Sequence, residues 1–120
     1  MAPKSGSQPT PDVSAADVER IAQRDFPPEQ VAAVLAVLEE YGDREADRVR
    51  LAVLKLADRD LQKLRYWLEQ AKCDYRDVLG PAEYPRYRKK WNPKKCASEE
   101  EWRQMMIASD WAQYERWLKS

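Results

Sequence analysis

An all-α fold, a compact bundle of about five helices with a disordered N-terminal tail, is predicted by three features of this chain. Apolar residues recur at spacings of three and four, and no stretch alternates with period two. Only three glycines are present, and charged residues make up 35% of the chain, above the roughly 25% of an average domain. The 120 residues suit a single helical domain over 13–120. A chain this long buries roughly two-thirds of its unfolded surface, so its core needs no disulfide or metal.

Residues 1–12 hold Pro3, Pro9 and Pro11, one glycine and several small polar side chains. With so little to bury, they are expected to form the disordered tail. The first helix is expected from Ala15 to Asp25, with Ser14 as N-cap, Asp17 three residues on, and Val18, Ile21 and Ala22 as its apolar stripe. Pro27 disfavours helix at Phe26 and breaks the chain there. Pro28 suits the first turn of a second helix, whose face is Val31, Val34, Leu35, Leu38 and Tyr41, with Gly42 as its stop.

The third helix is expected over 44–57. It carries Ala46, Val49, Val53, Leu56 and Ala57 on one face and Leu51 and Leu54 on another. A helix apolar around most of its circumference is buried on two sides, which places it at the centre. Asp60 is a good N-cap for a fourth helix running to Leu79. Its stripe is Leu61, Leu64, Leu68, Ala71, Tyr75 and Val78, with Tyr66 and Cys73 pointing away and Gly80-Pro81 ending it. Residues 82–97 read as a turn-rich connection. Ser98 through Glu101 form a capping box for a fifth helix to about Leu118, with Trp102, Met105, Met106, Trp111, Tyr114 and Trp117 at helical spacing.

Three stretches carry a resemblance: residues 54–61 (LKLADRDL), residues 74–79 (DYRDVL) followed by 82–85 (AEYP), and residues 110–118 (DWAQYERWL). Together they resemble a group of short, uncharacterised bacterial proteins over about the last two-thirds of the chain. The resemblance implies a bacterial source and brings no activity and no functional residue with it.

The charge pattern narrows the function classes. The net charge is zero, but residues 1–48 sum to −5 and residues 84–96 to +6. A nucleic-acid binder with a large footprint is usually basic overall, which this chain is not. Histidine is absent, which removes the commonest general acid/base, the commonest zinc ligand and every serine–histidine or cysteine–histidine pair. Gly6, Gly42 and Gly80 stand too far apart for a phosphate loop. Cys73 and Cys96 are too few for a disulfide framework. The expectation is therefore no enzyme, no metal and no cofactor. No apolar run reaches the 18 residues of a membrane span, and the start of the chain lacks the apolar core of a signal peptide. That places the protein in the cytoplasm with reduced thiols.

Three clusters invite a functional reading, each beside a structural one. Asp74-Tyr75-Arg76-Asp77 reads as a site at the end of the fourth helix or, as the sequence favours, as a core tyrosine among surface ion pairs. Tyr84, Arg86, Tyr87, Arg88, Lys89, Lys90 and Trp91 interleave rings with cations. Such a segment grips a single nucleic-acid strand, or it plugs its rings into the core. Trp111 and Trp117, on a helix with three tryptophans, read as core or as a face shared with a partner. The expected role is a small non-catalytic interaction or regulatory protein acting through protein–protein contact. Its candidate partner-binding residues are Tyr84, Arg86, Tyr87, Arg88, Lys89, Trp91, Trp111 and Trp117. The alternative is a nucleic-acid-binding accessory protein using residues 84–96, and an enzyme of unknown type comes third. Partner identity and oligomeric state are not legible.

Overall fold

Six helices follow one another along the chain in the computed structural model, which describes residues 8–89, 92, 94 and 98–120. They are α1 (Ala15–Asp25), α2 (Pro28–Glu39), α3 (Ala46–Ala57), α4 (Leu61–Cys73), α5 (Arg76–Glu83) and α6 (Glu99–Lys119). Among the described residues there is no strand, and no helix is long and apolar enough to cross a membrane. Contacts gather the chain into two compact units. One is Asp12–Ala82, and the other joins the residues up to Pro11 with Glu83–Ser120.

In the Asp12–Ala82 unit, α3 packs against both α1 and α4, and α2 packs against α1 and α4. Val49, Leu51, Ala52, Val53, Leu54 and Ala57 of α3 are all buried, which makes it the central helix its sequence calls for. Leu64, Leu68 and Ala71 present the buried stripe of α4, and Tyr66, on the opposite side, is 56% exposed. Ser14 and Asp17 form a capping box at α1, and the Asp60 carboxylate accepts the N–H groups of Gln62 and Lys63 at α4. The C-terminal end of α2 is closed from a distance. Arg50 of α3 donates its Nε to the carbonyls of Leu38 and Tyr41 at 3.0 and 3.1 Å.

The expected fourth helix divides in two. Asp74 leaves helical geometry (φ −158°, ψ 109°), and its carboxylate accepts the Arg76 N–H at 3.0 Å, so it caps the helix that follows. Tyr75, expected on the core stripe, is only half-buried as a result. Pro81, expected to end the helix, lies inside α5, where it removes the hydrogen bond that the Asp77 carbonyl would otherwise accept. The apolar spacing runs unbroken from Leu61 to Val78 across Asp74, which hid this break.

The α3–α4 turn is made by two non-glycine residues in the left-handed region, Asp58 (φ 49°) and Arg59 (φ 66°). That conformation costs roughly 1–2 kcal/mol for a residue with a Cβ. The Arg59 side chain is exposed and reaches Asp25 only at 3.9 Å, a contact of little value. Arg59→Gly is therefore expected to stabilise the protein by about 1 kcal/mol, read as a higher denaturant midpoint. A lowered midpoint would show that the Asp25 contact outweighs the backbone strain.

Residues 1–7 lie outside the described residues, but Pro11 is buried and the Pro9 carbonyl accepts a hydrogen bond from the Tyr84 hydroxyl. Proline has no side-chain entropy to lose and no N–H to satisfy, so it is inexpensive to pack. Removing residues 1–12 takes the Pro9 and Pro11 contacts with it and is expected to lower the melting temperature. Tyr84→Phe should cost roughly 0.5–1.5 kcal/mol, the worth of one hydrogen bond. A truncated chain that melts with the full chain would show the Pro9–Tyr84 contact to be without consequence.

Candidate functional site

The basic-aromatic segment is organised from α6. Ser98 caps that helix by accepting the Glu101 N–H at 3.2 Å, and Glu99, Glu100 and Glu101 sit favourably at its positive end. Its fully covered positions are Ile107, Asp110 and Tyr114, at intervals of three and four. Asp110 is completely buried, and its Oδ2 accepts two backbone N–H groups, from Arg86 at 3.0 Å and Tyr87 at 2.9 Å. Oδ1 is also buried and has no hydrogen-bond partner among the described residues. A carboxylate taking two N–H bonds is a strong anchor, because hydrogen bonds to a charged acceptor are about twice as strong as neutral ones.

Around this anchor the chain closes a turn. The Arg88 N–H donates to the Tyr84 carbonyl at 3.3 Å and the Lys89 N–H to the Arg86 carbonyl at 3.1 Å. The Arg86 guanidinium donates to the Ser109 hydroxyl, one residue before Asp110. Tyr84 is 4% exposed. Tyr87 is half-buried, stacked on Trp102 at 6.4 Å with an interplanar angle of 21°, and meets Tyr84 edge-on. The rings therefore belong to the structure of this unit. Arg88 and Lys89 are exposed, and no carboxylate among the described residues pairs with either.

The remaining candidate residues separate from this group. Trp91 lies outside the described residues. Trp111 and Trp117 are half-buried on α6, with Trp117 tilted against Tyr114 at 5.6 Å. Trp117 stands seven residues beyond Asp110, roughly 10 Å along the axis at 1.5 Å per residue. Met105, expected in the apolar stripe of this helix, is instead 58% exposed. Asp110 is the residue that sequence reasoning missed. A carboxylate in mid-helix ordinarily faces water. The available signal was its register, three residues after Ile107 and four before Tyr114, on the covered face.

A second polar region lies in the other unit. A cleft of about 460 Å³ opens between the α2–α3 connection (Tyr41, Asp43, Arg44) and the end of α4 with its exit (Ala71 to Arg76). The Tyr41 hydroxyl donates to the Arg44 carbonyl at 2.7 Å, and burial, helped by the Asp43 charge, raises its pKa. Lys72 bridges Glu40 at 2.7 Å and Glu69 at 3.0 Å. The hydrogen bond from Lys72 and then its charge hold Glu40 below the ordinary carboxylate range, while hydrogen bonds to Glu40 and Glu69 raise Lys72. Asp74 is lowered by Arg76, which grips it with two side-chain hydrogen bonds at 3.0 Å. The Asp74–Asp77 cluster thus pairs locally rather than with neighbouring helices. Arg76 neutralises Asp74 and leaves Asp77 as the cluster's net negative charge, and the Cys73 thiol beside it is free and exposed.

The signs of these shifts set the pH response. Glu40, lowered, contributes stability that is full above the ordinary carboxylate range and is lost as pH falls through its depressed midpoint. Lys72, raised, contributes up to the ordinary lysine range and loses its share as pH climbs through its raised midpoint. Both groups are solvent-exposed, so the contribution is small. Lys72→Met should move the carboxyl NMR titration midpoint of Glu40 upward. An unmoved midpoint would show that the bridge does not persist in solution.

A helical protein with one carboxylate-anchored cationic turn and one cleft lined by ion-paired side chains is the class that fold and site define. Compared with protein-family models, curated proteins and solved structures, the chain matches none.

Proposed function

We propose that this is a non-catalytic interaction protein of the bacterial cytoplasm, which binds an acidic surface on a protein partner through the turn at Arg86–Lys89. One observation carries the reading. Buried Asp110 fixes the backbone of Arg86 and Tyr87, and Arg88 and Lys89 project beside it without a carboxylate partner among the described residues. Arginine is enriched among the residues that dominate interfaces. A turn already held in place has little ordering entropy left to lose on binding. The bacterial placement rests on the sequence resemblance, and the cytoplasmic one on the low cysteine content.

Binding of single-stranded nucleic acid has less support, since stacking needs free ring faces. Tyr84 is buried and Tyr87 is stacked on Trp102. Capture of partners from the host by tagged protein, with nuclease present, tests the choice. The expected result is a protein band that survives nuclease, weakens with salt and is lost with Arg88→Glu and Lys89→Glu. Titration with single-stranded DNA or RNA at low salt is the counter-test. Micromolar binding there, with a log–log salt slope near −0.7 per phosphate contact, would overturn the proposal in favour of nucleic acid.

A further inference from the structure

We propose that the groove between α1, α2 and the start of α3 is a docking site for the Arg88–Lys89 turn of a second copy of this chain. The inference rests on the reading of that turn as a contact surface and names its partner.

The groove holds about 160 Å³, room for one long side chain. Its floor is apolar, from Ala15 and Val18 of α1 and Leu35 and Leu38 of α2. Its rim carries three carboxylates, Glu19, Glu39 and Asp47, against one guanidinium, Arg50. Arg50 is largely committed elsewhere, because its Nε serves the carbonyls of Leu38 and Tyr41 and its Nη1 lies 4.0 Å from Asp47. No cation among the described residues reaches Glu39. An apolar floor under an anionic rim suits an arginine or lysine side chain, whose aliphatic stem covers hydrocarbon while its head meets carboxylates.

The same chain carries the matching ligand. Residues 1–48 sum to −5 and residues 84–96 to +6, so neutrality is reached by two complementary regions rather than by mixing. Arg88 and Lys89 are exposed, lack a carboxylate partner among the described residues, and sit on a turn fixed by Asp110. Each copy thus offers one cationic turn and one anionic groove. Such surfaces join copies head to tail, or reciprocally into a closed dimer.

Sedimentation equilibrium of the full chain tests this. The average mass should rise above the 14.1 kDa monomer with concentration at low salt and fall back as salt screens the contact. Glu39→Lys and Arg88→Glu, both at exposed positions, should each leave a folded monomer. Mixing the two variants should restore association, because one still has its turn and the other its groove. A wild-type chain that stays monomeric at every concentration overturns the proposal. So does association untouched by Glu39→Lys, or lost equally with Glu29→Lys, which alters charge away from the groove. The two readings fail separately. A monomer that still captures a protein through Arg88 removes only the self-docking. Self-association and partner capture that are both indifferent to Arg88→Glu remove the turn as a contact surface.

Discussion

Replacing Leu64 or Leu68 with alanine is expected to cost about 2–5 kcal/mol, the range for losing a buried leucine side chain to a cavity. Leu64 is wholly buried and Leu68 is 1% exposed, on the face that α4 turns to its neighbours. The α3 helix that α4 packs against is itself closely buried, with Leu51, Val53 and Leu54 all at 0% exposure, so little slack exists for collapse around the gap. Against a total stability of about 5–15 kcal/mol, either change should unfold a large fraction of the molecules at moderate denaturant. The midpoint of chemical denaturation measures it. A midpoint unchanged by Leu68→Ala would sink the assignment of α4 as a core helix.

Asp110→Ala should rival the leucine substitutions. Two hydrogen bonds to a charged acceptor, at roughly 1.5–3 kcal/mol each, are lost together, and the Arg86 and Tyr87 N–H groups are left without that acceptor. The expected cost is about 3 kcal/mol or more. Hydrogen exchange at those two amides should accelerate, and Trp102 fluorescence should change as the stacked Tyr87 ring loosens. Asp110→Asn keeps one carbonyl acceptor and should cost less. Because the anchor orders the cationic turn, Asp110→Ala should also weaken partner capture even though Asp110 is buried and cannot touch the partner. Unaltered amide protection at Arg86 and Tyr87 would show that the turn holds itself.

Much of the architecture was legible because it depends on local periodicity and caps. The helix starts at Ser14, Asp60 and Ser98 follow from side chains that serve the first turn within three residues, and the start at Pro28 from a ring that pre-sets φ and has no N–H to satisfy. The central position of α3 follows from an apolar circumference that water would penalise on either side. The division at Asp74 was less legible, since the local signal, an aspartate able to cap, lay inside an apolar repeat that ran past it. The candidate segment was visible as a run of cations among rings. Its rings were equally compatible with binding a ligand and with filling a core, and composition does not separate the two.

What the sequence determined by itself, then, is the helical class, most helix boundaries, the buried stripes and the segregation of charge into an acidic first part and a cationic segment. These depend on residues a few positions apart. Tertiary structure alone decided the rest. Asp110 meets the amides of Arg86 and Tyr87 across more than twenty residues, Arg50 closes the end of α2 from another helix, and Tyr84 reaches back to Pro9. Each is a polar group whose partner is fixed only when distant segments pack. A buried carboxylate or a tertiary cap has no period in the sequence, because the need it serves, an unsatisfied backbone group far along the chain, exists only in the folded state.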